Sequence, residues 1–143
     1  MAATKPFEHK QMIERYLTAF NEQDVDALPE VVTEDVLVQG LIGADGDVNG
    51  IEEYEAWWRE TLSGLPDARL EIDDYFESGD RAAARWTFTG THERVLFEIP
   101  ATNRAFEITG FALFRIEDGK IAEKRYQQDD LGMLQQLGVI EES

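Results

Sequence analysis

FALFRIEDGKIAEKRYQQDDLGMLQQLG, residues 111–138, holds two alternating runs and a helix start. From Phe111 apolar and polar residues alternate, as in a half-buried strand. Glu117-Asp118-Gly119 reads as a tight turn, with Gly free to take positive φ. A second alternating run goes from Lys120 to Gln128. Asp129 then opens a short helix with Leu131, Met133, Leu134 and Leu137, which stops at Gly138. A hairpin thus delivers a carboxylate to a helix start, a place where chemistry can sit.

Working outward, the period changes between the two halves of the chain. Glu8 to Asn21 carries Met12, Ile13, Tyr16, Leu17 and Phe20 on one helical face. Asp24 can cap a second helix through Val25 to Val32. Val36 to Gln39 reads as a short strand and Leu41 to Asn49 as a loop. A third helix starts at Gly50, carries Tyr54, Trp57, Trp58 and Leu62, and ends at Gly64 and Pro66. From Arg69 the period is two: Leu70, Ile72 and Tyr75 alternate with acids. A turn at Gly79-Asp80 leads to a strand from Ala82 to His92, and Ile99 to Asn103 is a loop. Helices first and strands later imply one α+β domain over residues 1–143.

Composition narrows the function classes. The chain has 143 residues, no cysteine and a net charge of −17. Without cysteine there is no disulfide, thiolate metal site or cysteine nucleophile. So acidic a surface disfavours nucleic acid and anionic membranes as partners. No apolar run approaches a membrane span, and MAATKPFEHK lacks an apolar signal core, so the expected location is cytoplasmic. Only four lysines stand beside nine arginines. Dispersed carboxylates with few lysines point to a salt-rich cytoplasm, as in a halophilic archaeon, where screening weakens self-repulsion; the alternative is an ordinary acidic mesophilic protein. The melting temperature should therefore rise from low salt to molar KCl; an equal or lower value in molar KCl contradicts the halophilic reading. No metal motif is present: there is no His-x-His or His-Glu-x-x-His, and Asp45-Gly46-Asp47 is too short for a calcium loop. No cofactor motif stands out either, so none is expected.

The order "GF-x-LFR-x-x-DGKI-x-E", then Asp129, then "LGMLQQLG", resembles the end of SnoaL-like proteins. These are polyketide cyclase relatives within the nuclear-transport-factor and ketosteroid-isomerase superfamily. Tyr16 to Leu28 (YLTAFNEQDVDAL) resembles their first helix and turn, and Ala84 to Gly110 their central strands. The resemblance implies a curved antiparallel sheet wrapped around the N-terminal helices, a cone-shaped fold with a short C-terminal helix. It also implies an apolar cavity inside the cone and a homodimer formed through the exposed sheet face. The implied activity is cofactor-free acid/base cyclisation or isomerisation of a small, mostly apolar carbonyl compound. The alternative is a non-catalytic small-ligand-binding or dimerisation module on the same fold.

Candidate residues follow from both readings. His92 ends a central strand in phase with Trp86 and Phe88, and an imidazole moves protons near pH 7. The competing use is a strand-end histidine bonded to backbone. Asp129 matches the carboxylate the family keeps before "LG"; it is a general base if desolvated, or simply a helix cap. Asp130 is expected in solvent. The cyclases' acid/base aspartate corresponds to Tyr126, their assisting histidine to Ala112, and an asparagine to Val38. Tyr126 is then a hydrogen-bond donor to a carbonyl oxygen rather than a base. Tyr16 and Phe20 are core or cavity-lining. Of Trp57 and Trp58, one is expected in the core and one at a pocket rim or interface. Arg85 and Trp86 must face opposite ways.

Overall fold

The computed structural model describes residues 7–141; Met1–Pro6, part of the stretch read above as lacking a signal core, lies outside them. The element order is α1 (Lys10–Asn21), a 3₁₀ turn (Val25–Ala27), α2 (Leu28–Val31), β1 (Val32–Gln39), β2 (Val48–Asn49) and α3 (Ile51–Gly64). It continues with β3 (Arg69–Ser78), β4 (Arg81–Thr91), β5 (Ala105–Glu117), β6 (Lys120–Gln128) and α4 (Asp130–Gln136). The strands form one curved sheet in the order β2-β1-β6-β5-β4-β3. Neighbours run antiparallel except β1 and β6, which are parallel.

α1 begins two residues later than the helical pattern suggests. No side chain of its own caps it. Instead the Glu77 carboxylate of β3 accepts the backbone N–H of Glu8 at 2.8 Å and of His9 at 2.9 Å. At the other end Asn21 clasps the backbone of Leu70, accepting its N–H at 2.8 Å and donating to its carbonyl at 3.0 Å. The helix thereby lies fixed across the sheet with Met12, Ile13, Tyr16, Ala19 and Phe20 buried. Each large side chain buried this way contributes about 1.5–3 kcal/mol.

Between Asp24 and Asn49 the structure differs from the local reading. Asp24 makes no side-chain cap, and the expected helix breaks into the 3₁₀ turn and the single turn of α2. The β-branched run Val31-Val32-Thr33 then joins a strand of eight residues rather than four, because it pairs with β6. The expected loop ends in β2, which pairs with Leu37 and Val38.

Two bulges set which side chains point inward. In β3 the register shifts between Ile72 and Asp74, leaving Asp73 and Asp74 outside and turning Tyr75 in. In the β5–β6 hairpin Arg115 faces Glu123 while Ile116 faces Ile121. Ala122 is the extra residue, so Ile121 and Ala122 are both buried and the inward phase passes to Lys124 and Tyr126. On β4, Trp86 points inward, and Arg85 points outward to Asp73 at 3.6 Å. In α4, Met133 is buried, whereas Leu131 is 60% exposed.

Candidate active site

The concave face of the sheet and the helices enclose a cleft. Tyr16 and Phe20 of α1 line it, with Tyr54, Trp57 and Trp58 of α3, Leu70 of β3, Trp86 and Phe88 of β4, and Lys124, Tyr126 and Gln128 of β6. No carboxylate or imidazole is in this set. Its free volume is about 20 Å³, room for about one water.

Lys124 is the unexpected member. It is 5% exposed, on the inward phase that the Ala122 bulge creates. Its Nζ donates to Tyr16 Oη at 2.8 Å, and Tyr16 Oη is hydrogen-bonded to Tyr54 Oη. Aromatic rings wall it in: Nζ lies 4.5 Å from the Tyr126 centroid, 5.0 Å from Trp86, 5.1 Å from Tyr16 and 6.0 Å from Phe114. The carboxylates on the surrounding elements are exposed or half-buried. They are Glu14 on α1, Glu34 and Asp35 on β1, Glu52, Glu53, Glu55 and Glu60 on α3, Glu71, Asp73, Asp74 and Glu77 on β3, Glu107 and Glu117 on β5, Glu123 on β6 and Asp130 on α4. None of them pairs with Lys124. Arg85 pairs with Asp73, and Arg115 and Arg125 share Glu123.

An ammonium without a counter-ion in an apolar site is costly. Burial therefore lowers the Lys124 pKa from 10.5 to about 7. The ring faces favour the cation, but cation–π attraction of about 2 kcal/mol is smaller than the desolvation of a buried ammonium. The phenols move the other way. Burial, with some help from the neighbouring Tyr54, holds Tyr16 well above its usual value. Burial likewise raises Tyr126 well above its usual value and Tyr54 to about 12. Near neutrality the cleft thus pairs an amine able to lose its proton with phenols that keep theirs. Trp86 adds an Nε1–H that has no acceptor among the described residues.

Strand register gathers the positions singled out from sequence. Ala112 is opposite Tyr126 in the β5–β6 pairing, and Val38 is opposite Lys124 in the β1–β6 pairing. Both are fully buried and contribute no polar group to the site. Gly40, just past β1, packs tightly against the backbone of Tyr126. Its φ is +95°, and a Cβ there would run into the Tyr126 carbonyl oxygen.

His92 and Asp129 are placed elsewhere. His92 is fully buried but does not line the cleft. Its Nε2 lies 3.3 Å from the Ile99 carbonyl and its Nδ1 3.1 Å from Thr102 Oγ1. A carbonyl only accepts, so Nε2 carries hydrogen and, in the neutral ring, Nδ1 accepts from Thr102. Its backbone N–H and carbonyl also bond Arg104 and Asn103, each at 2.9 Å. His92 therefore fastens the loop from 93 to 103, which lays Phe97 against Gly43 and stacks it on Trp57 at 6.3 Å. Trp57 is half-buried at this rim, stacks on Tyr54 at 6.2 Å, and donates Nε1–H to the Ile42 carbonyl at 2.8 Å. Trp58 is wholly buried.

Asp129 is exposed and caps α4, accepting the Gly132 N–H at 2.9 Å. Asp129→Ala should cost about 1 kcal/mol of unfolding free energy and leave turnover at the wild-type level. A loss of turnover beyond the loss of folded protein would instead place Asp129 in the chemistry. Asp130 is half-buried rather than solvated. Burial, reinforced by the Asp129 charge, raises its pKa against the opposing hydrogen bond from Gln128 at 2.9 Å.

Comparisons with known proteins agree with this architecture. Residues 10–137 match the family described as SnoaL-like polyketide cyclase. The chain is 32% identical over 130 residues to the aklanonic acid methyl ester cyclase DauD of Streptomyces sp. strain C5, covering 89% of this chain and 80% of that protein. It is 32% identical over 124 residues to the nogalonic acid methyl ester cyclase of Streptomyces nogalater, covering 85% and 91%. The solved structure of TsrD from Streptomyces laurentii superposes with a TM-score of 0.81 at 33% identity, covering 92% of this chain and 95% of that one.

Proposed function

The chain belongs to the SnoaL-like polyketide cyclase family, and on that premise we propose that it is a cofactor-free acid/base enzyme, a cyclase or isomerase of a small carbonyl compound. The observation that carries this reading is Lys124 Nζ, unpaired with any carboxylate among the described residues and bonded to Tyr16 at 2.8 Å inside an aromatic cleft. A neutral amine there takes a proton from the carbon next to a bound carbonyl. The Tyr126 phenol and the Trp86 N–H stand ready for the oxygen as it gains negative charge. The proton is then passed on along Tyr16 and Tyr54. In this reading a lysine replaces the aspartate of the resembled cyclases, and the substrate's apolar body rests on Phe20, Trp58 and Phe88. With so little free volume, entry requires the Trp57–Phe97 rim to part.

The test is deuterium uptake at the α-carbon of butan-2-one in D₂O, followed by proton NMR with wild type and Lys124→Met. Exchange that needs Lys124 supports the enzyme. Equal exchange in both proteins, at the rate of buffer alone, removes it. The second reading, a non-catalytic ligand-binding module, is favoured by Tyr126, Ala112 and Val38 standing where the cyclases keep polar groups. It expects ligand affinity without exchange.

We further propose that two copies associate through the outer face of the sheet. Phe76, Phe111 and Leu113 are 65%, 60% and 59% exposed, and Phe76, Ala83, Leu113 and Arg125 lie in one row across four strands. Apolar groups so arranged mark an interaction surface. Light scattering in molar KCl should give twice the chain mass, and Leu113→Asp should give the single-chain mass. A wild-type monomer at micromolar concentration contradicts the dimer.

A further inference from the structure

We propose that Lys124 is a covalent catalyst: its Nζ attacks the carbonyl carbon of a bound ketone or aldehyde and holds it as a Schiff base. This deepens the acid/base reading and rests on it. Three independent features lead to it. Lys124 is the only amine among the residues lining the cleft, and neither carboxylate nor imidazole lines it. No carboxylate among the described residues pairs with the ammonium form, whereas the sheet's exposed Arg85 and Arg125 both have carboxylate partners. Trp86, one of the lining residues, also carries a buried indole N–H with no acceptor among the described residues, a donor that a substrate oxygen can satisfy.

The steps balance without a further reagent. The Nζ lone pair forms the C–N bond while the carbonyl π pair moves to oxygen. A proton lost from nitrogen reaches that oxygen, giving a carbinolamine. The Tyr16–Tyr54 pair donates a second proton to the hydroxyl, the C–O bond breaks, and water leaves an iminium. Loss of the α-proton, which restores the phenol pair, gives an enamine whose carbon closes a ring onto a second carbonyl of the same substrate, and the oxygen of that carbonyl takes a proton from the phenol pair to become a hydroxyl. One water then hydrolyses the product iminium, and the proton released returns to the phenol pair, leaving the amine neutral. Burial, which brings Lys124 to about 7, gives about a thousandfold more free amine at neutral pH than an ordinary lysine has. Desolvation of this kind is a recognised route to a nucleophilic lysine.

The experiment is butan-2-one with cyanoborohydride at pH 7, with peptide mass spectrometry to locate the reduced adduct and α-carbon deuterium exchange run in parallel. Circular dichroism confirms that wild type and Lys124→Met are folded. The expected result is a secondary amine on Lys124, formed at least about tenfold faster than on the surface residues Lys10 and Lys120, with neither adduct there nor exchange in Lys124→Met. Lys124-dependent exchange with no trapped adduct overturns the Schiff base while leaving the acid/base reading standing. Neither exchange nor adduct in folded wild type overturns both.

Discussion

Lys124→Met will abolish α-proton exchange and, in the same protein, stabilise the fold. Methionine matches the lysine stem in length and needs no partner in an aromatic cavity. The unfolded chain keeps the Lys124 proton up to its ordinary value of 10.5, whereas the folded chain releases it near 7. Between those values the folded state binds fewer protons, so stability rises with pH through this window. Below pH 7 both states are charged and the full penalty of burying the cation is felt. The advantage of the methionine variant should be on the order of 4 kcal/mol at neutral and lower pH. It should fade as pH approaches 10.5. Denaturant unfolding at pH 6, 8 and 10 reads this directly. A variant less stable than wild type at pH 6 would mean that Lys124 contributes to the fold as a cation.

Tyr126→Asp is expected to switch the amine off. The Tyr126 ring centroid is 4.5 Å from Nζ, so a carboxylate introduced there would lie close enough to pair with the ammonium. An opposite charge at that range raises a lysine pKa by about 1–3 units. Exchange and adduct formation at pH 7 should fall by about 5–500-fold, and both should recover as pH is raised. Tyr126→Phe keeps the ring, removes the phenol and should leave the pH dependence in place. If Tyr126→Asp is as active as wild type at pH 7, the aspartate of the resembled cyclases works equally well here, and Lys124 is not the base. The variant therefore separates two chemistries that this position can support.

Much of this architecture could be read from residue order because its signals are local. Alternation marked the β5–β6 hairpin, the 3.6-residue spacing marked α1 and α3, and Asp129 before a Leu-rich turn marked the cap of α4. What could not be read depends on distant pairing. The Glu77 carboxylate that caps α1 belongs to a strand 68 residues away from His9. β1 joins β6 in parallel across most of the chain.

The centre of the site was hidden by a single residue. Counting by twos from Ile121 turns Arg125 inward and Lys124 outward. The Ala122 bulge reverses this, burying Lys124 and Tyr126 and leaving Arg125 to Glu123. A charged residue flanked by an acid and an arginine gave no local sign that it faces the interior. His92 shows the converse. Its phase with Trp86 and Phe88 was legible and its burial is complete, yet the strand has left the cleft by that point, and the ring is taken up by Thr102 and Ile99.

The most direct test of the account is the titration of Lys124 itself. With lysines labelled at ¹³Cε and Lys124→Met used to assign its resonance, NMR across pH 5 to 11 follows each amine separately. One lysine should titrate with a midpoint near 7, and its resonance should be absent from the variant. A Lys124 midpoint at 10 or above would leave the cleft without a neutral amine at physiological pH and would contradict the proposed chemistry.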